Sequence, residues 1–275
     1  MRFALLMAAA LAVAPAALQV EGPAVDPLHR PLDQILDVYV RDGLVYYRAL
    51  RQERGSLDRY VAALGAVAPA TLDGWSRERQ IAFWMNAYDA LVLKTVIDHY
   101  PIRGRAEAYP PGSIRQIPGA FERQAFTVAG RRLTLDQIET DVLAGFDDPR
   151  VFVGLGRGAL GGGRLRSEAY DGTRLEAQLA DAAAEVVTRR ELVFVDRVDG
   201  TLDVNPIFSW RAEAFARAYA DRAPAVFAAR SPIERAVVAF IQPNLVGAEA
   251  AFLEQNQFRM VYHDFDWRLN DLTGR

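Results

Sequence analysis

Residues 76–101 read SRERQIAFWMNAYDALVLKTVIDHYP, and this stretch decides the fold. Trp84, Tyr88, Leu91, Thr95 and Val96 recur at the three-to-four-residue spacing of one helical face, so the segment reads as a long helix with a buried stripe, stopped by Pro101. Asn86 and Asp89, three residues apart, share a face among bulky apolar neighbours, and buried polar groups there need hydrogen-bond partners. Upstream, apolar periodicity predicts helices over 32–41 and 52–64. Downstream, Pro110-Pro111-Gly112 breaks the pattern, and residues 126–134 read as a hairpin turning at Ala129-Gly130. A helix over 135–144 follows, with Thr134 as its cap.

Val151–Leu155 is a short apolar run that reads as an interior strand leading into the glycine-rich segment 156–163. An Ala-rich helix spans 175–188, and residues 192–195 pair with 201–204 across Asp199-Gly200. Helices over 210–219, 233–241 and 249–255 precede a last strand over 259–265. The expected architecture is α+β in a single domain, its helical N-terminal half packed on a small mixed or antiparallel sheet.

The 275 residues are 51% hydrophobic and 24% charged, which suits one large globular domain. Arg2, the apolar run from Phe3 to Val13 and the small residues Ala14-Pro15-Ala16 have the order of a secretory signal, so residues 1–16 are expected to be removed on export to the periplasm or beyond. The apolar run is about 11 residues against the roughly 20 needed to span a bilayer, which disfavours a retained anchor. Residues 17–31, with Pro23 and Pro27, read as a flexible lead-in, and 32–275 as the domain. No later stretch is long and apolar enough to cross a membrane.

The absence of cysteine excludes disulfides, thiolate metal sites and a sulfur nucleophile. A formal charge of −3 gives no field to attract nucleic acid. His29, His99 and His263 lack metal-ligand spacing, no G-x-S-x-G elbow occurs, and no cofactor is expected. Gly156-Arg-Gly158-Ala-Leu-Gly161 matches the dinucleotide pattern G-x-G-x-x-G, but Gly162 and Gly163 continue the loop where a helix must start. Asp136 with Glu139, or Asp264 with Asp266, are carboxylate pairs that acid–base chemistry would use.

Several segments together resemble the bacterial branch of the domain of unknown function 547 family: Val40-Arg-Asp-Gly-Leu-Val-Tyr-Tyr47, Ala82-Phe-Trp-Met-Asn-Ala-Tyr-Asp-Ala-Leu91, Leu135-Asp-Gln-Ile-Glu139, Asp148-Pro-Arg-Val151, Ile207-Phe-Ser-Trp210 followed by Phe215, and Asp266-Trp-Arg-Leu-Asn270. They occur in the family's order over about residues 33–270. After the Asp-Pro-Arg motif the family usually carries a His, then Ala-Leu, a Cys, and a Cys-Pro. By gapless counting these positions are Phe152, Gly154-Leu155, Arg157 and Gly162-Gly163 here. The resemblance implies a thiol-centred constellation with the acid at Glu139, from which this chain has lost both sulfur and imidazole.

Arg157 has two readings: an anion site with the backbone N–H groups of the glycine-rich loop, or an ion pair with Glu139 filling the vacated position. Asn86 likewise either fixes a loop backbone or faces a ligand, the first being the commoner use of such a group. The resulting expectation is an exported, non-catalytic binding or interaction module with a degenerate cleft around Asn86, Glu139, Arg157 and Trp210. Its partner would be a small molecule or an envelope protein. The alternative is a hydrolase or transferase working through carboxylates.

Overall fold

A computed structural model describes residues 25–273. The signal read over 1–16 and the first part of the lead-in lie outside the described residues. The elements run α1 (Arg30–Tyr39), β1 (Val40–Arg41), β2 (Leu44–Val45), α2 (Tyr47–Gln52), α3 (Gly55–Ala66), α4 (Pro69–Asp73) and α5 (Arg77–His99). Then come β3 (Ala125–Val128), β4 (Arg131–Thr134), α6 (Leu135–Gln137), α7 (Arg150–Gly154) and α8 (Leu175–Thr188). The chain closes with β5 (Val193–Asp196), β6 (Thr201–Val204), α9 (Ile207–Trp210), α10 (Ala212–Tyr219), α11 (Pro232–Ile241), α12 (Gly247–Glu254) and β7 (Arg259–Tyr262).

Helix α5 is the axis around which the rest is packed. Ser76 caps it by accepting the Arg79 N–H, and from Ile81 to Leu93 every residue is buried. A helix buried on all sides is stable only inside a core, and α2, α3 and α8 supply that cover. The architecture is α+β, with its strands divided among three small sheets. Two are hairpins; the third has the order β5-β6-β7, antiparallel between β5 and β6 and parallel between β6 and β7. The β3–β4 hairpin turns at Ala129-Gly130 as expected, both at positive φ (47° and 71°).

Several local readings need correction, among them the last strand, which ends at Tyr262 rather than at 265. Val151–Leu155 is not a strand: Arg150–Gly154 is a helical turn, started where the Asp148 carboxylate accepts the Arg150 N–H at 3.2 Å. Five apolar residues fit a buried strand and a buried helical turn equally well. The first helix ends at Tyr39, because Asp42 and Gly43 (φ 53° and 77°) turn β1 back onto β2. Packing against the domain also includes residues before 32: His29 is 1% exposed, with Nδ1 2.7 Å from the Tyr60 hydroxyl, and Asp26 pairs with Arg79 at 2.7 Å. Burial holds the His29 imidazole down at about 4, so it packs as a neutral ring.

Candidate functional site

Four parts of the fold converge beside the middle of α5. Thr134 and Gln137 form a reciprocal capping box that starts α6, as the hydroxyl at 134 suggests. The helix does not continue regularly: Ile138–Val142 widen into a π-turn and Leu143–Phe146 tighten into a 3-10 turn. Such π-turns recur at functional sites, and this one carries Glu139 inward to 5% exposure. Helix α7 and the loop after it deliver Phe152 and Arg157, and the α9–α10 junction delivers Trp210 and Arg211.

Arg157, 2% exposed, donates to Glu139 Oε1 at 2.7 Å and to the Phe152 carbonyl at 2.8 Å. Arg211 donates to the same Oε1 at 2.8 Å and holds its guanidinium carbon 5.1 Å from the centre of the Phe152 ring, a cation–π contact. The Tyr88 hydroxyl donates to Glu139 Oε2 at 3.3 Å. Burial disfavours the Glu139 carboxylate, yet Arg157 and Arg211 outweigh it and hold its pKa below the ordinary value. Burial, then the Glu139 charge, push the Tyr88 hydroxyl well above its usual range, so it serves as a neutral donor. Asp89 lies beside them. Its Oδ1 accepts the Gly156 N–H at 2.9 Å, and burial pushes its carboxyl up to about 8.

The positions singled out in sequence therefore separate into three roles. Glu139 and Arg157 meet as a buried ion pair, the second of the two readings of Arg157. Four of the loop's amides are engaged: Gly156 donates to Asp89, Leu160 and Gly161 to the carbonyls of Arg268 and Asp266, and Gly162 to Ala159. Asn86 holds backbone, its amide donating to the Tyr170 carbonyl and its oxygen accepting the Tyr170 N–H, both at 2.8 Å. Trp210 is on the surface, 44% exposed, with Phe265 at 5.1 Å and a near-parallel Trp267 at 6.3 Å.

Residues 72–187 match the model of a family described as Protein of unknown function, DUF547. The match supports the family read from the motifs. It contains the α5 motif, Glu139 and the Phe152 and Arg157 positions, whereas the first motif and the two closing ones lie outside it. No curated protein and no solved structure matches the chain.

Positions 139, 152 and 157, separate in sequence, are thus neighbours in space. The loop that places Arg157 needs glycine: a Cβ at Gly163 would come within 2.1 Å of the Val153 carbonyl oxygen. Sequence reading missed Arg211, whose spacing from Glu139 carries no periodic signal. It also passed over Tyr88 as core, although a tyrosine in a fully buried run signals a hidden acceptor for its hydroxyl. Of the carboxylate pairs, Asp266 is occupied by Arg268 at 2.5 Å, and Asp136 is half-buried with its pKa raised, first by burial and then by Glu122. None of Asn86, Glu139 and Arg157 lines a groove of about 990 Å3 that Ala159 and Leu160 border.

Proposed function

We propose that the protein is an exported, non-catalytic binding or interaction module whose thiol-type site has been converted into a buried salt bridge. The observation that carries this reading is the Glu139 carboxylate. Oε1 accepts from Arg157 and Arg211 and Oε2 from Tyr88, so the acid has no oxygen turned to a substrate. Phe152 offers only a ring and a carbonyl where the family's imidazole would stand, and the chain has no cysteine.

The contact face in this reading is the neighbouring surface. Trp210, Phe265 and Trp267 give an aromatic patch, and Arg115 stacks its guanidinium 4.5 Å from the Trp267 ring. Two guanidiniums meet one carboxylate at Glu139, and the side chain of Arg211 keeps 22% of its surface open, so surplus positive charge emerges beside Trp210. Rigid aromatics beside arginine are the residues from which binding hot spots are built. A small molecule or an envelope protein would meet this face.

The second reading, a hydrolase or transferase using carboxylates, is favoured by one observation: Asp136 has a raised pKa and Glu139 a lowered one, the divergence that an acid and its partner base need. The two readings separate on a panel of ester, amide, glycoside and phosphate reporter substrates. The binding module gives the same rate as buffer, before and after Asp136→Asn. Turnover by the native protein that Asp136→Asn abolishes would establish the enzyme instead.

Export is tested independently. Protein recovered from the producing bacterium should begin near Ala17 by intact-mass and N-terminal measurement. An intact Met1 or Arg2 on cytoplasmic protein would refute it.

A further inference from the structure

The groove of about 990 Å3 carries a group that the buried cluster leaves unexplained. Arg189 ends α8 and lines this groove, donating Nη1 to the Gly162 carbonyl at 3.1 Å and Nη2 to the Leu160 carbonyl at 2.9 Å. Two of its five N–H donors are thereby used. Among the described residues no carboxylate comes within 4 Å of it, although arginines elsewhere in the fold have such partners. Among the described residues its Nε donates to no protein acceptor and is not sealed from solvent.

The groove's charged lining is three arginines, Arg164, Arg189 and Arg268, and four acids, Asp42, Glu191, Asp266 and Asp271, so the imbalance is local to Arg189. Burial holds the Arg189 pKa below its ordinary value, Glu191 and Glu185 oppose this from a distance, and the neighbouring Arg164 adds to it. Arg164 and Arg268 line the same groove, each with its own carboxylate, Asp42 and Asp266 respectively. Glu191 lines it too, but its carboxylate stays beyond hydrogen-bond reach of Arg189. A half-buried guanidinium is stable where an anion completes its charge and its fork of donors, and two parallel N–H groups match the two oxygens of a carboxylate or phosphate. The volume suits an organic ligand rather than a lone ion.

We propose that this groove is a binding site for an organic anion whose carboxylate or phosphate oxygens dock on Arg189. The glycine-rich loop takes part as a wall: its carbonyls at 160 and 162 hold the guanidinium in place. The site is separate from the Glu139 cluster and does not depend on whether that cluster is catalytic.

Titration calorimetry on the full mature chain at low salt, with citrate and with pyrophosphate, tests it. Saturable binding of at least one is expected, and preference for one assigns carboxylate or phosphate. Arg189→Gln should weaken binding about tenfold or more, the scale of a lost charge-assisted pair. Because Arg189 also holds the loop, Thr188→Glu is the second variant: Thr188 is exposed, lines the groove, and a carboxylate planted there competes for the guanidinium without removing it. It too should weaken binding about tenfold while circular dichroism and the unfolding midpoint are kept. Absence of saturable binding by both anions, or equal affinity in the native protein and in Thr188→Glu, would overturn the proposal.

Discussion

Replacing Glu139 by alanine is expected to lower the unfolding free energy by about 3–5 kcal/mol, the range for removing one partner of a buried ion pair. The loss comes from what stays behind. Arg157 is 2% exposed, and without Glu139 its guanidinium keeps only the Phe152 carbonyl while its charge remains inside the core. The Tyr88 hydroxyl loses its acceptor at the same time. Arg157→Met is expected to be milder, since Glu139 then retains Arg211, which reaches solvent. Combining Glu139→Gln with Arg157→Met should recover much of the Glu139→Ala loss, because neither charge is then stranded. Chemical unfolding of the three variants checks this. A Glu139→Ala variant within about 1 kcal/mol of the native protein would mean the pair behaves like an exposed one.

The second large effect is a pH dependence centred on Asp89. Its folded carboxyl titrates at about 8, raised by burial, whereas in the unfolded chain it ionises near its usual 3.8. The folded protein therefore binds more protons between these values. The contribution is fully present below about pH 4 and is lost as pH rises toward 8, at up to roughly 1.4 kcal/mol per pH unit for one fully linked group. Asp89→Asn keeps an oxygen for the Gly156 N–H and removes the proton linkage. The variant should match the native protein at or below about pH 4 and exceed it increasingly from there toward pH 8. Unfolding midpoints that run parallel from pH 5 to pH 9 would contradict the assignment.

Features with a strong local cause were readable in the sequence. Helix α5 follows from an apolar stripe at three-to-four-residue spacing closed by a proline, the β3–β4 turn from a glycine between alternating strands, and the start of α6 from the capping hydroxyl of Thr134. Helix α8 occupies the span that its composition predicts. Val151–Leu155 misled because so short a run has no distinguishing period, and the informative residue, Asp148, sits outside it. The turn at Asp42-Gly43 was hidden under a helical period that ran two residues too far.

Legibility of the site was uneven for a physical reason. Glu139 and Arg157 stood out through the family resemblance, and their opposite charges suggested the pair. Arg211 and Tyr88 complete it through contacts spanning 72 and 51 residues, and no local pattern encodes such distances. Asn86 read either as a backbone clamp, the commoner use of such an amide, or as a ligand-facing group. Only the position of Tyr170, 84 residues away, decides between them.

The central claim is that positions 139, 152 and 157 form one site whose chemistry has been displaced by a salt bridge. The most direct test restores the displaced groups with Phe152→His and Arg157→Cys and measures the thiolate pKa from the pH dependence of alkylation. The native chain has no cysteine, so the signal comes from the new thiol alone. If the site is the converted one, the thiol is expected to ionise well below the free value of ~8.5, and adding Glu139→Gln should move it back toward that value by releasing the imidazole. A thiol with an unperturbed or raised pKa in a correctly folded double variant would contradict the account.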